Sequence, residues 1–230
     1  MLDIPSLTIS LIIPALNEAE CLPALLQETP RTLLHEIIVV DNGSTDATAA
    51  VARASGALVI GEPRRGYGYA CAAGVAAATG DILVFMDGDG SFVPDELQGL
   101  VEPIIAGQAD LVLGTRFRGG MSAGAMPPHQ RFGNHLVAWL VRCFYRVELT
   151  DLGPFRAIRR ELLAALQMQE RTYGWPIEMM VKAAKRRARL LEVPVHYRPR
   201  FAGQSKVGGT VRGTVLATYK ILRVTFRYMW

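Results

Sequence analysis

The chain has 230 residues, enough for one generous domain with a sizeable core and too few for two full ones. Half of it is apolar and a fifth is charged, which excludes an intrinsically disordered chain. The formal net charge of +4 draws the chain weakly towards anions and does not choose among nucleic acid, phosphorylated small molecules and an acidic membrane surface.

The opening stretch, MLDIPSLTIS, lacks a basic segment before its apolar residues, so no signal peptide is expected. Short apolar runs without polar alternation follow at Thr8–Pro14, Glu36–Val40, Ala57–Ile60, Asp81–Met86 and Asp110–Leu113. They read as strands of a largely parallel sheet covered on both faces. Between them, Glu18–Glu28, Thr45–Ser55, Tyr69–Thr79 and Asp95–Ala106 have helical spacing, with Ser44 as an N-cap and Pro94 at a helix start. The alternation predicts an α/β fold with right-handed crossovers. Farther on, Arg118–Pro128 reads as a mobile Gly/Pro loop and His129–Arg146 as a helix. A strand near Pro154–Ile158, helices near Glu161–Leu166 and Pro176–Lys185, and a strand at Leu190–Tyr197 follow. The Gly-rich loop Ala202–Gly209 then leads into a terminal helix over 210–230, outside a main domain of 1–209.

At ~100° per residue, Arg212, Lys220, Arg223 and Arg227 of that last helix share one arc, away from most of its apolar residues. Such a helix can lie on an anionic membrane or dock on the domain with a solvated basic face. No uninterrupted apolar run reaches the ~18–20 residues of a membrane span; Phe132–Val147 is broken by Asn134, His135 and Arg142. Cys21, Cys71 and Cys143 are scattered and odd in number, which fits packing in a reducing compartment. The expectation is a cytoplasmic protein, able to lie peripherally on the cytoplasmic membrane face.

In open α/β sheets, ligands sit beyond the carboxyl ends of the strands. Three strands here run into polar turns at that edge: Pro14-Ala15-Leu16-Asn17-Glu18, Asp41-Asn42-Gly43-Ser44 and Asp87-Gly88-Asp89-Gly90. Two carboxylates flanking a glycine can hold Mg²⁺ or Mn²⁺, with diphosphate oxygens completing the shell. Gly66-Tyr67-Gly68 is too late in the chain for a dinucleotide fingerprint. Gly68 either admits a donor close to the backbone or belongs to a plain helix-start loop.

IIPALNE, VVDNGSTDAT, GYGYACAAG, FMDGDGSF, LGTRF and RFGN occur in the order of inverting family 2 glycosyltransferases with the GT-A fold, and the chain resembles that family. The pattern is most similar to its polyprenyl-phosphate branch, of the dolichol-phosphate mannose or glucose synthase type; TDLGPFR and GQSKVGGT extend the likeness. Asn42 stands where a second Asp is frequent, and Ser91 where a Gln is often found. The resemblance implies a UDP- or GDP-linked sugar donor in a pocket of Pro14, Asn17, Glu18 and Asp41. It implies Asp87 and Asp89 at the ribose, diphosphate and metal, and Lys206 closing over the diphosphate. Arg116 and Arg131 would face an acceptor phosphate, with Asp151 and Arg156 at the acceptor side of the sugar. A polyprenyl phosphate would need no base; a soluble or glycan hydroxyl would, and Asp151 is the residue for it. A nucleotidyltransferase would want a Gly-rich basic loop after the first strand, and an RNA-binding module would want aromatics on the sheet. Neither is present, so no nucleic-acid partner is expected.

Overall fold

A computed structural model describes residues 7–122, 125–145, 147–203 and 223–228. In chain order it runs β1 (Ile9–Ala15), α1 (Leu22–Glu28), β2 (Glu36–Asp41), α2 (Thr48–Ala54), β3 (Leu58–Gly61), α3 (Tyr67–Ala77) and β4 (Ile82–Phe85). Then follow α4 (Leu97–Ile105), β5 (Leu111–Thr115), α5 (Arg116–Gly119), β6 (Gly120–Met121) and α6 (Pro128–Tyr145). The rest is β7 (Arg156–Arg159), α7 (Arg160–Leu166), α8 (Trp175–Lys185) and β8 (Leu190–Tyr197), with residues 223–227 helical.

The strands form one eight-stranded sheet in the order β3-β2-β1-β4-β7-β5-β8-β6. Every pairing is parallel except that β7 runs antiparallel to both β4 and β5. Because side chains alternate across a strand, the apolar runs fill two cores at once. Leu11 and Ile13 face α1, α2 and α4; Ile12, Ile38 and Val40 face α3, α6, α7 and α8. Burying each such side chain contributes about 1.5–3 kcal/mol. Val224, from the 223–228 segment, belongs to the second core.

Two local expectations shift. The second helix starts at Thr48, with Ala47 rather than Ser44 at its N-cap position, and Asp46 Oδ1 accepts the Thr48 N–H at 3.0 Å. Ser44 instead accepts the N–H of Asn17 at 2.9 Å, tying the ends of β1 and β2. The segment expected as a loop after Arg118 begins with α5 and β6, because Gly119 lets the chain pass against the Val195 backbone and β6 pairs with β8. Among the described residues, no helix is long and apolar enough to cross a membrane.

Candidate active site at the carboxyl edge of the sheet

The ends of β1, β2 and β4 meet because these strands are neighbours. Pro14 and Asp41 lie at the ends of β1 and β2, with Pro14 opposite Val40 in the register. Asn17 has a left-handed backbone, φ 52°, and its Oδ1 accepts the Thr45 N–H at 2.8 Å. The buried Glu18 takes Arg200 Nη2 on both oxygens, at 2.8 and 2.9 Å, so it joins the first turn to the segment after β8. Asp41 Oδ1 accepts the Ser44 N–H at 2.9 Å. Asn42 is buried; its amide donates to the Glu62 and Arg64 carbonyls at 2.9 and 2.8 Å and accepts from the Gly66 N–H at 2.9 Å. A carboxylate could not make the two donations, which accounts for asparagine here.

Asp87 and Asp89 follow β4. Burial and the Asp89 charge raise the Asp87 pKa to about 7, against the Tyr67 hydroxyl and the more distant guanidiniums of Arg116 and Arg156. Asp89 Oδ1 accepts the Ser91 N–H at 3.0 Å. Two carboxylates held together at this cost in a recessed site suit a divalent cation. Among the described residues no third His, Cys, Asp or Glu joins them in a metal cluster, so the rest of the shell would have to come from ligand oxygens.

The segment after β8 crosses this pair. The Phe201 N–H donates to the Asp89 carbonyl at 3.0 Å and the Arg198 N–H to the Ser91 carbonyl at 2.9 Å. Tyr197 lies near both Arg116 and the acidic pair: its ring is 5.1 Å from the Arg116 guanidinium and 5.2 Å from the Phe92 ring. Its pKa is raised by burial and, beyond that, by Asp89 and Asp87.

Arg116, buried at the end of β5, grips Asp151 through Nε and Nη2, each at 2.7 Å, and through its backbone N–H at 3.0 Å. Asp151 is 1% exposed and also accepts the Leu152 N–H at 2.7 Å. Although burial alone would raise its pKa, Arg116 holds it below the ordinary carboxylate value. A carboxylate so stabilised as the anion is a poor proton acceptor, so the general-base expectation for Asp151 does not fit this geometry. Arg116, expected at the acceptor phosphate, has two of its guanidinium nitrogens on Asp151 and forms one wall of a small cavity. Arg156 is fully buried, and its Nη atoms bond the carbonyls of Leu152, Gly153 and Pro176. It therefore holds the loop before β7 instead of reaching a sugar. At Gly68, in the first turn of α3, a Cβ would meet the Arg171 backbone at 2.7 Å, so packing against the chain itself accounts for the glycine, in keeping with the helix-start alternative.

Arg131 lies beside Arg116 in the structure. With Arg116, Phe117, Arg118 and Met121 it lines a cavity of ≈ 180 Å³. Arg118 and Arg131 are exposed, and neither pairs with a carboxylate among the described residues. Lys206 lies outside the described residues.

Tyr197 and Arg200 escaped the sequence reading. Both follow from β8 lying beside β5, which no local pattern announces. The only available signal was the polar HYRPR stretch at a strand end.

The model of the family "Glycosyl transferase family 2" matches residues 10–167. An uncharacterized glycosyltransferase of Mycobacterium tuberculosis is 41% identical over 216 residues, covering 94% of this chain and 97% of the relative. A dolichyl-phosphate hexose transferase of Haloferax volcanii is 32% identical over 211 residues, covering 90% of each. Among solved structures, glucosyl-3-phosphoglycerate synthase from Mycobacterium tuberculosis, in complex with Mn²⁺, UDP and phosphoglyceric acid, superposes with a TM-score of 0.78 at 26% identity. The match covers 97% of this chain and 79% of that one.

Proposed function

The chain belongs to glycosyl transferase family 2 and has its GT-A fold, and from that premise we propose metal-dependent transfer of a sugar from a nucleoside diphosphate to a phosphate-bearing acceptor. The observation that carries this reading is the acidic pair Asp87 and Asp89, held together in a recess at the edge where three strand ends converge. Both would hold Mg²⁺ or Mn²⁺, in keeping with the Mn²⁺ and UDP of the solved relative. When bound, the cation offsets charge developing on the departing diphosphate. Asp41 would accept a ring N–H of the base, while Pro14, Asn17 and Glu18 shape the pocket wall. Tyr197, its ring against Arg116, would stand at the boundary between donor and acceptor.

The acceptor side is a compact cavity with Arg118 and Arg131 at its rim. Planar guanidiniums engage two phosphate oxygens together. A small phosphorylated hydroxy acid, as in the phosphoglyceric acid complex, would be anchored there by its phosphate while a hydroxyl attacks the sugar, its proton passing to a departing diphosphate oxygen or to solvent rather than to Asp151. A second reading is a polyprenyl phosphate, favoured by the Haloferax relative and by the engagement of Asp151 with Arg116. An ionised phosphate oxygen attacks without a base. The two share the chemistry of the anchor and differ in the attacking oxygen.

The test is a transfer assay with labelled UDP- and GDP-sugars, with and without chelator. Acceptors would be 3-phosphoglycerate, short polyprenyl phosphates and the matching polyprenols. Metal-dependent product on either phosphate-bearing acceptor is expected. Transfer to the polyprenols alone would reject the phosphate anchor, and product unaffected by chelator would reject the metal.

A further inference from the structure

Helix α6 has two apolar faces. Val137, Ala138 and Val141 are buried in the core. Leu136, Trp139, Cys143 and Phe144 are exposed, and at ~100° per residue they share one arc of about 140°. Trp139 is 59% exposed and Phe144 43%. The terminal segment extends the patch: Phe226 is 48% exposed, with its ring 6.3 Å from that of Phe144, and the Tyr145 hydroxyl bonds the Thr225 carbonyl at 3.2 Å. A contiguous exposed apolar surface marks an interaction site.

Charge around the patch is mostly positive. Helix α6 contains no Asp or Glu, and Arg131, Arg142, Arg223 and Arg227 are all exposed. Glu148 meets Arg142 at 3.3 Å, with both side chains largely in solvent, and so offsets little of this charge.

We infer that the exposed face of α6, with residues 223–228, docks on the surface of an anionic lipid bilayer. Apolar side chains enter the acyl boundary, tryptophan sits at its edge, and arginines meet the lipid phosphates. The charge distribution argues against a second copy of the chain, since a two-fold contact through this patch would set arginines against arginines. The inference stands on exposure and charge and does not depend on which acceptor is used. It has a consequence for the site, because Arg131, at the acceptor cavity, is on the first turns of the same helix. Trp139 is eight residues on, about 12 Å along the axis. Docking would set the cavity beside the membrane, at the flank of the docked face.

The experiment sediments the full chain, without donor or acceptor, with vesicles of phosphatidylcholine alone or with a third phosphatidylglycerol. Binding to the anionic vesicles that weakens with salt is expected, and the W139Q/F144Q double variant should lose about tenfold or more of it. Melting temperature and Mn²⁺–UDP binding should stay unchanged in that variant, which keeps this test separate from the glycosyltransferase reading. Should the double variant misfold, R142E/R223E serves instead, with the same expected loss on anionic vesicles. Failure of the unaltered chain to bind anionic vesicles overturns the inference, as does equal binding by a folded variant. A dimer in the analytical ultracentrifuge that W139Q/F144Q converts to monomer would give the face to a second copy and overturn it too.

Discussion

Removing the charge of Asp151 leaves the Arg116 guanidinium buried without its counter-ion, and breaking such a pair costs about 3–5 kcal/mol. The pH dependence follows from the direction of the shift. Asp151 has a folded pKa below its unfolded one, so its contribution is complete above the ordinary carboxylate pKa of about 4 and is lost as pH falls through the folded value. Thermal melts should show Asp151→Asn less stable than the unaltered chain at pH 7, with the gap narrowing on acidification; a constant gap would deny the pair this role. At Asp89, the Asn variant should abolish transfer and remove the Mn²⁺ dependence of UDP binding while the fold persists. An active Asp89→Asn with the same Mn²⁺ response would dismiss Asp89 as a ligand. That the acidic pair, Asp41 and Asn17 lie at the carboxyl edge of the sheet was legible from the sequence, because each sits at or within a few residues of the end of an apolar strand. The partnership of Arg116 and Asp151 was not, since it joins residues 35 positions apart across β5 and the loop before β7.

Helix α3 shows what an element's surroundings demand of its sequence. Gly68 lies in its first turn, and a methyl there would stand 2.7 Å from backbone atoms of both Glu170 and Arg171, which cannot swing aside like a side-chain tip. Gly68→Ala should therefore destabilise by about 1–3 kcal/mol. A denaturant titration checks it, and an unchanged midpoint would mean that the loop yields freely. The glycine itself was conspicuous in the sequence; its neighbour was not, because the 170–171 loop arrives a hundred residues later. Apart from β6, which falls in a segment expected as a loop, strand positions were legible to within a residue or two, owing to the uniform aliphatic runs. Helix α6 was legible as a helix, but only the packing tells which of its apolar residues remain outside. The direction of β7 could not be read, since a short buried strand has the same composition whether its neighbours run with it or against it.

For the molecule as a whole, a donor that binds the folded state alone raises its apparent stability by about 2.7 kcal/mol at a hundred times its dissociation constant. The melting temperature should rise with UDP and Mn²⁺ together and much less with either alone. Equal shifts by UDP with and without the cation would separate the nucleotide pocket from the acidic pair. The α/β class was legible because strands and helices alternate through the first half. The lateral order of the strands was not, and it has a consequence for how the chain assembles. Strands β1 to β4 can pair as they emerge from the ribosome, each beside one already made. Strand β5 cannot join them, because the strand that separates it from β4 is β7, encoded more than forty residues later. Until Arg156–Arg159 has been synthesised, β4 and β5 are two open edges with unpaired peptide groups, the condition in which nascent sheets recruit the wrong partner. The four-residue β7 acts as the keystone of biogenesis: a chain halted before it carries Asp41, Asp87 and Asp89 but no completed sheet to support them.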